Sequence, residues 1–423
     1  MKEWKQYKLI DILDKVIDYR GKTPQKTESG IPLITAKIIK DGRILPPNEF
    51  IAENNYEKWM VRGIPQEGDV VLTVEAPLGE VAQLDNRKIA LAQRVVTLRG
   101  KKGVLDNTYL KYFLMSNVGQ ARLKARATGT TVTGIKQSEL REVMIDCPDY
   151  TTQIKIASIL NAIDAKIELN RQINDNLENQ AKALYKSWFV DFEPFKDGNF
   201  VESDLGLIPE GWSVGIYEQI IKSTISGDWG KETPTGNYTH KVACVRGCDF
   251  QDMKIGVRGK TPERYILEKN YQAKKLEHND ILVEISGGTS TISTGRVCVV
   301  NSDLLNKYNH NIVCTNFCKV IRPFNSYAAY LYYSWQFKYD SKVMFGYENG
   351  TSGIKNFQLA DFISKESVLV PPVSCVKEFQ KLVDNILKGI QINGSEIMEL
   401  ELLRDTLLPK LMSGELKINE IDC

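Results

Sequence analysis

The chain has 423 residues, and its 55 Lys and Arg against 53 Asp and Glu leave a formal charge of +2, so no whole-protein case exists for a polyanionic partner. That length predicts roughly three domains, each able to bury a core. No apolar run approaches 18 residues and the opening MKEWKQYKLIDILDKV lacks the order of a leader, so neither membrane insertion nor secretion is expected and the cytoplasm is the expected compartment. Eight irregularly spaced cysteines read there as small apolar residues rather than bridges.

Residues 1–148 alternate short β-rich runs (IPLIT, GDVVLTV, RVVTLRG) with turn signals (RGKTP, DGRILPPN, APLGE), which predicts a mixed globular domain. Residues 149–193 follow without glycine and, until FEP, without proline. Ile156, Ile159, Ile163, Ile167, Leu177, Ala181, Leu184 and Trp188 recur mostly at helical spacing, predicting one long helix capped by Asp149 or Thr151. At about 1.5 Å per residue it would run roughly 60 Å and need a partner helix. Residues 194–211, rich in Gly, acidic residues and Pro, read as a linker, and a second globular domain is expected over 212–372. Residues 373–423 hold a second helix and a tail. Gly389 and Gly394 weaken that helix by about 1 kcal/mol each relative to alanine, so a break or kink is expected there, and Pro409 is expected to end or bend it.

The two halves repeat. Asn170, Leu177 and Leu184 recur 223 positions later as Asn393, Leu400 and Leu407. Trp4 aligns with Trp212, Asp69 of GDVVL with Asp280 of NDILV, and Gly134-Ile135-Lys136 with Gly353-Ile354-Lys355. The expected fold is α+β: two globular mixed α/β domains in tandem repeat, each followed by a long helix, the helices pairing as an antiparallel coiled coil. Its seam is expected at Ile163, Asn170, Leu177, Leu184, Ile386, Asn393, Leu400 and Leu407, with Asn170 and Asn393 meeting at the midpoint or facing solvent, and Gly394 where the helices cross. The growing shift between copies places the extra residues of the second in its loops, as expected either of ligand-specific loops or of neutral drift.

QARLKARATGTTVTGIKQ carries four cations and no acid, and hydroxyls and amides of such a loop suit phosphate contacts. The alternative is an ordinary solvated helix face and loop. Candidate nucleic-acid contacts in the first half are Arg20, Lys22, Thr23, Lys37, Arg43, Arg126, Thr128, Thr130, Thr131, Thr133 and Lys136; in the second they are Lys231, Arg246, Arg258, Lys260, Thr289, Ser290, Tyr347, Asn349, Thr351 and Lys355. Base and phosphate contacts are not separable at this level. SGGTSTISTG lacks the spacing of a nucleotide loop. Cys244-x3-Cys248 and Cys314-x3-Cys318 have the even spacing of one buried strand face, which disfavours metal. No hydrolase, kinase or methyltransferase motif is present, so no catalytic residue and no metal are assigned.

GIKQSEL, CPDYTTQIKIASIL, KSWFVDFEPFK followed by LGLIPEGW, and the closing LLPKLMSGEL stand in an order that resembles the specificity (S) subunits of Type I restriction-modification systems across essentially the whole chain. Cys147-Pro148 departs from the Pro-Pro expected before the first helix, which Pro371-Pro372 keeps in the second copy. The resemblance implies target-recognition domains at 1–148 and 212–372, each reading one part of a bipartite, asymmetric duplex DNA sequence, with spacer helices at 149–193 and 373–423. It implies two modification (adenine methyltransferase) subunits and restriction (translocase/nuclease) subunits as partners, with S-adenosylmethionine, ATP and Mg on those partners, none bound by this chain, and no membrane. A non-enzymatic scaffold binding protein or glycan ligands through its two domains is the competing reading; a self-contained DNA-modifying enzyme is a third.

Overall fold

The computed structural model describes residues 4–129, 132–289, 291–350 and 354–416. The chain forms two compact units, Met1–Lys166 with Leu400–Cys423, and Ile167–Glu399.

The first unit is built on an antiparallel sheet of β1 (Leu13–Asp18), β2 (Val70–Val74), β3 (Leu78–Gln83) and β4 (Val95–Gly100), in the order β1-β4-β2-β3. The apolar run VVLTV follows from burial on both faces. Val70, Leu72 and Val74 enter a core with the helix Asn107–Met115, whereas Val71 enters a second core with Leu33, Ile34 and Leu91.

The second unit repeats this frame with β5 (Ile221–Ser226), β6 (Ile281–Glu284), β7 (Val297–Val299) and β8 (Cys318–Pro323), in the order β5-β8-β6-β7. Each unit adds a parallel strand pair, Ile31–Ile34 beside Ala90–Leu91 and Tyr238–Val245 beside Ile312–Cys314. The repeated Asp of GDVVL and NDILV is structural. Asp69 accepts both arms of Arg99 at 2.7 Å, and Asp280 accepts those of Arg322 at 2.8 and 2.9 Å. In both copies the same carboxylate also receives a backbone N–H three residues upstream, from Gln66 or Glu277.

The long helices are α1 (Tyr150–Phe189) and α2 (Val373–Ser413). Asp149 caps the first, its carboxylate accepting from Thr152 N at 3.2 Å. α1 ends just ahead of FEP: Val190 N and Asp191 N both bond the Lys186 carbonyl, and Phe192 turns left-handed. α2 is unbroken through Gly389 and Gly394 and keeps Pro409 inside it, against the expected break. Pro409 is exposed, where water can satisfy the carbonyl its missing N–H leaves unpaired.

Within each unit the helices run antiparallel. In the first, Asp164 meets Arg404 at 3.1 Å, and Ile156 and Leu160 share a core with Leu408 and Leu411. In the second, Asn170 donates to Glu396 at 2.7 Å and Phe189 packs edge-on against Phe379. Of the expected seam, Ile163 and Asn170 are buried, while Leu177, Leu184, Ile386, Asn393, Leu400 and Leu407 are part-buried. The deepest positions include Ala181, Val383, Ile390 and Ile397, because each helix also packs on globular structure and buries a wider face than a two-helix seam.

Three local expectations are corrected. Asn393 pairs with Asn174 at 2.8 Å, one turn beyond Asn170, since Asn174 also donates to the carbonyls of Ile255 and Ile390. Gly394 meets the backbone of Gly256 in the second globular part, and it is Gly389 that faces the other helix, at Leu177. The stretch 194–211 is ordered: it holds a 3-10 turn and the hairpin Phe200–Ser203/Gly206–Pro209, with Phe195 packed edge-on against Trp212.

Candidate nucleic-acid interface

In the first unit, hydrogen bonds draw several loops into one face. Asp18 holds Arg20 through Nε and Nη2, while Nη1 donates to the Ile135 carbonyl at 2.5 Å, tying the RGKTP turn to the threonine-rich loop. Arg62 donates to the carbonyls of Asp18 and Arg20. Thr23 on the same turn reaches Gln93 at 3.4 Å, and Lys22 beside it is exposed. Thr128 and Gly134 exchange backbone bonds, and Glu75 bridges Gly134. Thr128, Thr133 and Lys136 are exposed on this loop, and Arg126 at its root pairs with Glu139 at 2.9 Å. Lys37 is exposed in a 3-10 turn, 3.9 Å from Glu49; Arg43 is half-buried in a short hairpin.

In the second unit, Arg246 is bound to Asp249 and donates to the Lys260 carbonyl. The Asp249 bond raises the Arg246 pKa further. Lys260 and Arg258 are exposed, the latter over the Tyr308 ring. Lys231 lies over Tyr238 and pairs through its backbone with Tyr265. SGGTSTISTG forms a strand and a turn in which Thr289 Oγ1 receives the amides of Thr291 and Ile292. Its strand, Ser286–Gly287, pairs with Lys355–Phe357, and these pair in turn with Glu348–Asn349. Asn349 is exposed there, but Lys355 is tied to Glu348 at 2.7 Å and Tyr347 donates to Glu366 at 2.8 Å. Burial pushes the Glu348 carboxyl up; Lys355 and Thr294 outweigh it and hold the group below its ordinary range. Thr130, Thr131, Ser290 and Thr351 lie outside the described residues.

The aligned Gly-Ile-Lys triplets are not equivalent in space. Ile135, 2% exposed, bonds the Val74 carbonyl through its N–H, and the residue doing this in the second unit is Phe357, 4% exposed, on Ile285. Ile354 is 63% exposed. The match therefore slips by three residues, and Lys136, which precedes a short helix, corresponds to Gln358 rather than Lys355. Burial decides the register, because only one apolar side chain per loop can fill the core position.

Cys244 is buried on a strand but Cys248 is exposed in a 3-10 turn, so this pair does not share a face. Burial pushes the Cys244 and Cys318 thiols up to about 12, which suits packing and not metal binding. Among the described residues no three His, Cys, Asp or Glu converge as a metal set, and no helix is long and apolar enough to cross a membrane. Sequence reasoning did not align Arg94 with Phe317, which precede the matching strands Val95–Gly100 and Cys318–Pro323. The signal was available in the strands after them, VTLR and KVIR, each ending in the arginine that holds the buried Asp.

A sequence profile for the Type I restriction modification DNA specificity domain matches residues 1–179. The chain is similar to the Type I restriction enzyme MjaIX specificity subunit of Methanocaldococcus jannaschii, at 29% identity over 99% of this chain and 95% of that protein. It is also similar to the HindI specificity subunit of Haemophilus influenzae, at 23% identity over 98% and 100%. Among solved structures, the Type I restriction-modification S subunit from M. genitalium shares the fold, with a TM-score of 0.54 and 17% identity over 97% and 96% of the two chains.

Proposed function

Because the chain belongs to the specificity subunits of Type I restriction-modification systems, we propose that its two globular parts each read one part of a split, asymmetric duplex DNA sequence. One observation carries this reading: two copies of one hydrogen-bonded frame, down to the Asp69–Arg99 and Asp280–Arg322 pairs, present different side chains on corresponding loops. A rigid frame with varied loops is the arrangement by which a scaffold carries two specificities. Residues 1–148 and 212–372 act as the recognition domains, and 149–193 with 373–423 as the spacer. Exposed cations such as Lys22, Lys136 and Lys260 contact phosphates. The chain itself performs no catalysis and binds no cofactor. Two modification subunits supply S-adenosylmethionine chemistry on adenine, and restriction subunits supply ATP- and Mg-dependent cleavage, in the cytoplasm where the DNA lies.

The test is to express the chain with its modification subunit and map methylated adenines, alongside duplex binding as a function of salt. One split consensus and a steep fall of affinity with salt are expected. Absent or salt-insensitive binding by the assembled complex would return the chain to the reading as a protein- or glycan-binding scaffold.

A further inference from the structure

The strand that ends the parallel pair in each unit enters the main sheet through a tight turn, and the two turns are superimposable in their bonds. Val95 N donates to the Ala92 carbonyl at 3.3 Å, and Cys318 N donates to that of Thr315 at 3.0 Å. The residue before each strand lends its carbonyl to the neighbouring strand: Arg94 O receives Val74 N at 3.0 Å, and Phe317 O receives Ile285 N at 2.8 Å. Position 94 is thus position 317 in the second copy. The backbone is held alike while the side chain changes from a guanidinium to a phenyl ring.

Both side chains point away from the core. Arg94 is 48% exposed, 4.0 Å from Glu75, and Phe317 is 65% exposed. A ring left in water on a hydrogen-bonded turn forgoes the gain that burial of such a side chain brings, a gain that a ligand covering it would recover. Each tip adjoins the loops that carry the candidate contacts. Glu75, next to Arg94, bridges Gly134 of the threonine-rich loop, and Phe317 O also receives the amide of Ser286, whose strand pairs with Lys355–Phe357. Flanking apolar character does not vary: Val132 and Ile354, equivalent in the corrected register, are both exposed. What differs is the tip.

We propose that Arg94 and Phe317 are matched specificity-determining tips, Arg94 donating hydrogen bonds to a base edge in one part of the target and Phe317 placing its ring against a base in the other. This inference rests on the DNA reading above. It assigns different physics to the two parts, since a guanidinium reads acceptors such as those of guanine, whereas a ring in the major groove reads the methyl group of thymine by apolar contact.

The complex with the modification subunit is assayed as wild type, Arg94→Ala, Arg94→Lys, Phe317→Ala and Phe317→Tyr, reading the methylated consensus, duplex affinity against salt, and thermal unfolding. Arg94→Ala is expected to lose about 10-fold or more of discrimination at one position of one part. Phe317→Ala is expected to weaken binding about 10-fold with an unchanged salt slope, altering only the other part, and Phe317→Tyr to retain it. An unchanged consensus and affinity in both alanine variants, or changes that fall in the same part, overturns the proposal. So does a loss that tracks lowered unfolding temperature and is not repaired by Lys or Tyr. A wild-type complex without any sequence preference removes the underlying DNA reading instead, and the tips with it.

Discussion

Single residues divide into those that hold the frame and those free to meet a ligand. Asp164 belongs to the first kind, accepting from Lys111 at 3.0 Å, Tyr112 at 2.7 Å and Arg404 at 3.1 Å. Burial pushes its carboxyl up, but Lys111, the Tyr112 hydroxyl and Arg404 outweigh it and hold the pKa below the usual value. A carboxyl depressed in the folded state contributes stability that is present above its unfolded pKa and is lost as pH falls through the folded one. Asp164→Asn should therefore cost about 3 kcal/mol at neutral pH and flatten the loss of stability below about pH 4, measured by chemical denaturation across pH. Lys136 is of the second kind. Lys136→Ala should weaken binding to all duplexes and lower the salt slope by about one, whereas Lys355, tied to Glu348, should contribute chiefly to loop order. Composition did not separate these lysines; only the position of a carboxylate on the paired strand did.

At the level of elements, the helices were legible as helices because their periodicity is local, but their glycines were misread. Gly394 is where the second globular part touches α2, and a Cβ there would overlap the Gly256 backbone. At Gly389 a Cβ would meet only Leu177 Cδ1, at a tight 3.3 Å, and that atom is the end of a side chain that can give by a few tenths of an ångström. Gly394→Ala should thus cost about 2 kcal/mol or more through forced displacement of backbone, while Gly389→Ala should be neutral or gain up to about 1 kcal/mol from helix propensity. Thermal unfolding of the two variants side by side checks this, and equal destabilisation would contradict it. The strands tell the same story. VVLTV was legible as a strand, yet its burial and its division between two cores, Val71 on one side and Val70 and Leu72 on the other, depended on helices and strands far along the chain.

For the whole molecule, the duplication implies that each unit can vary without the other. If α1 and α2 set the gap of unread base pairs, deleting four residues from each near Lys166 and Leu400 should change that gap while both recognised parts persist, as read by mapping methylated adenines. An unchanged gap with an altered part would contradict the spacer role.

Periodicity and self-similarity, both carried along the chain, were enough by themselves to determine two long helices, a repeated frame and the family resemblance. Tertiary structure alone decided register: Asn174 and not Asn170 against Asn393, and Phe357 and not Ile354 in the place of Ile135. The physical reason is that a register is chosen by which side chains can be buried and which polar groups can be paired across segments distant in sequence. Loops of unequal length carry no period from which to count.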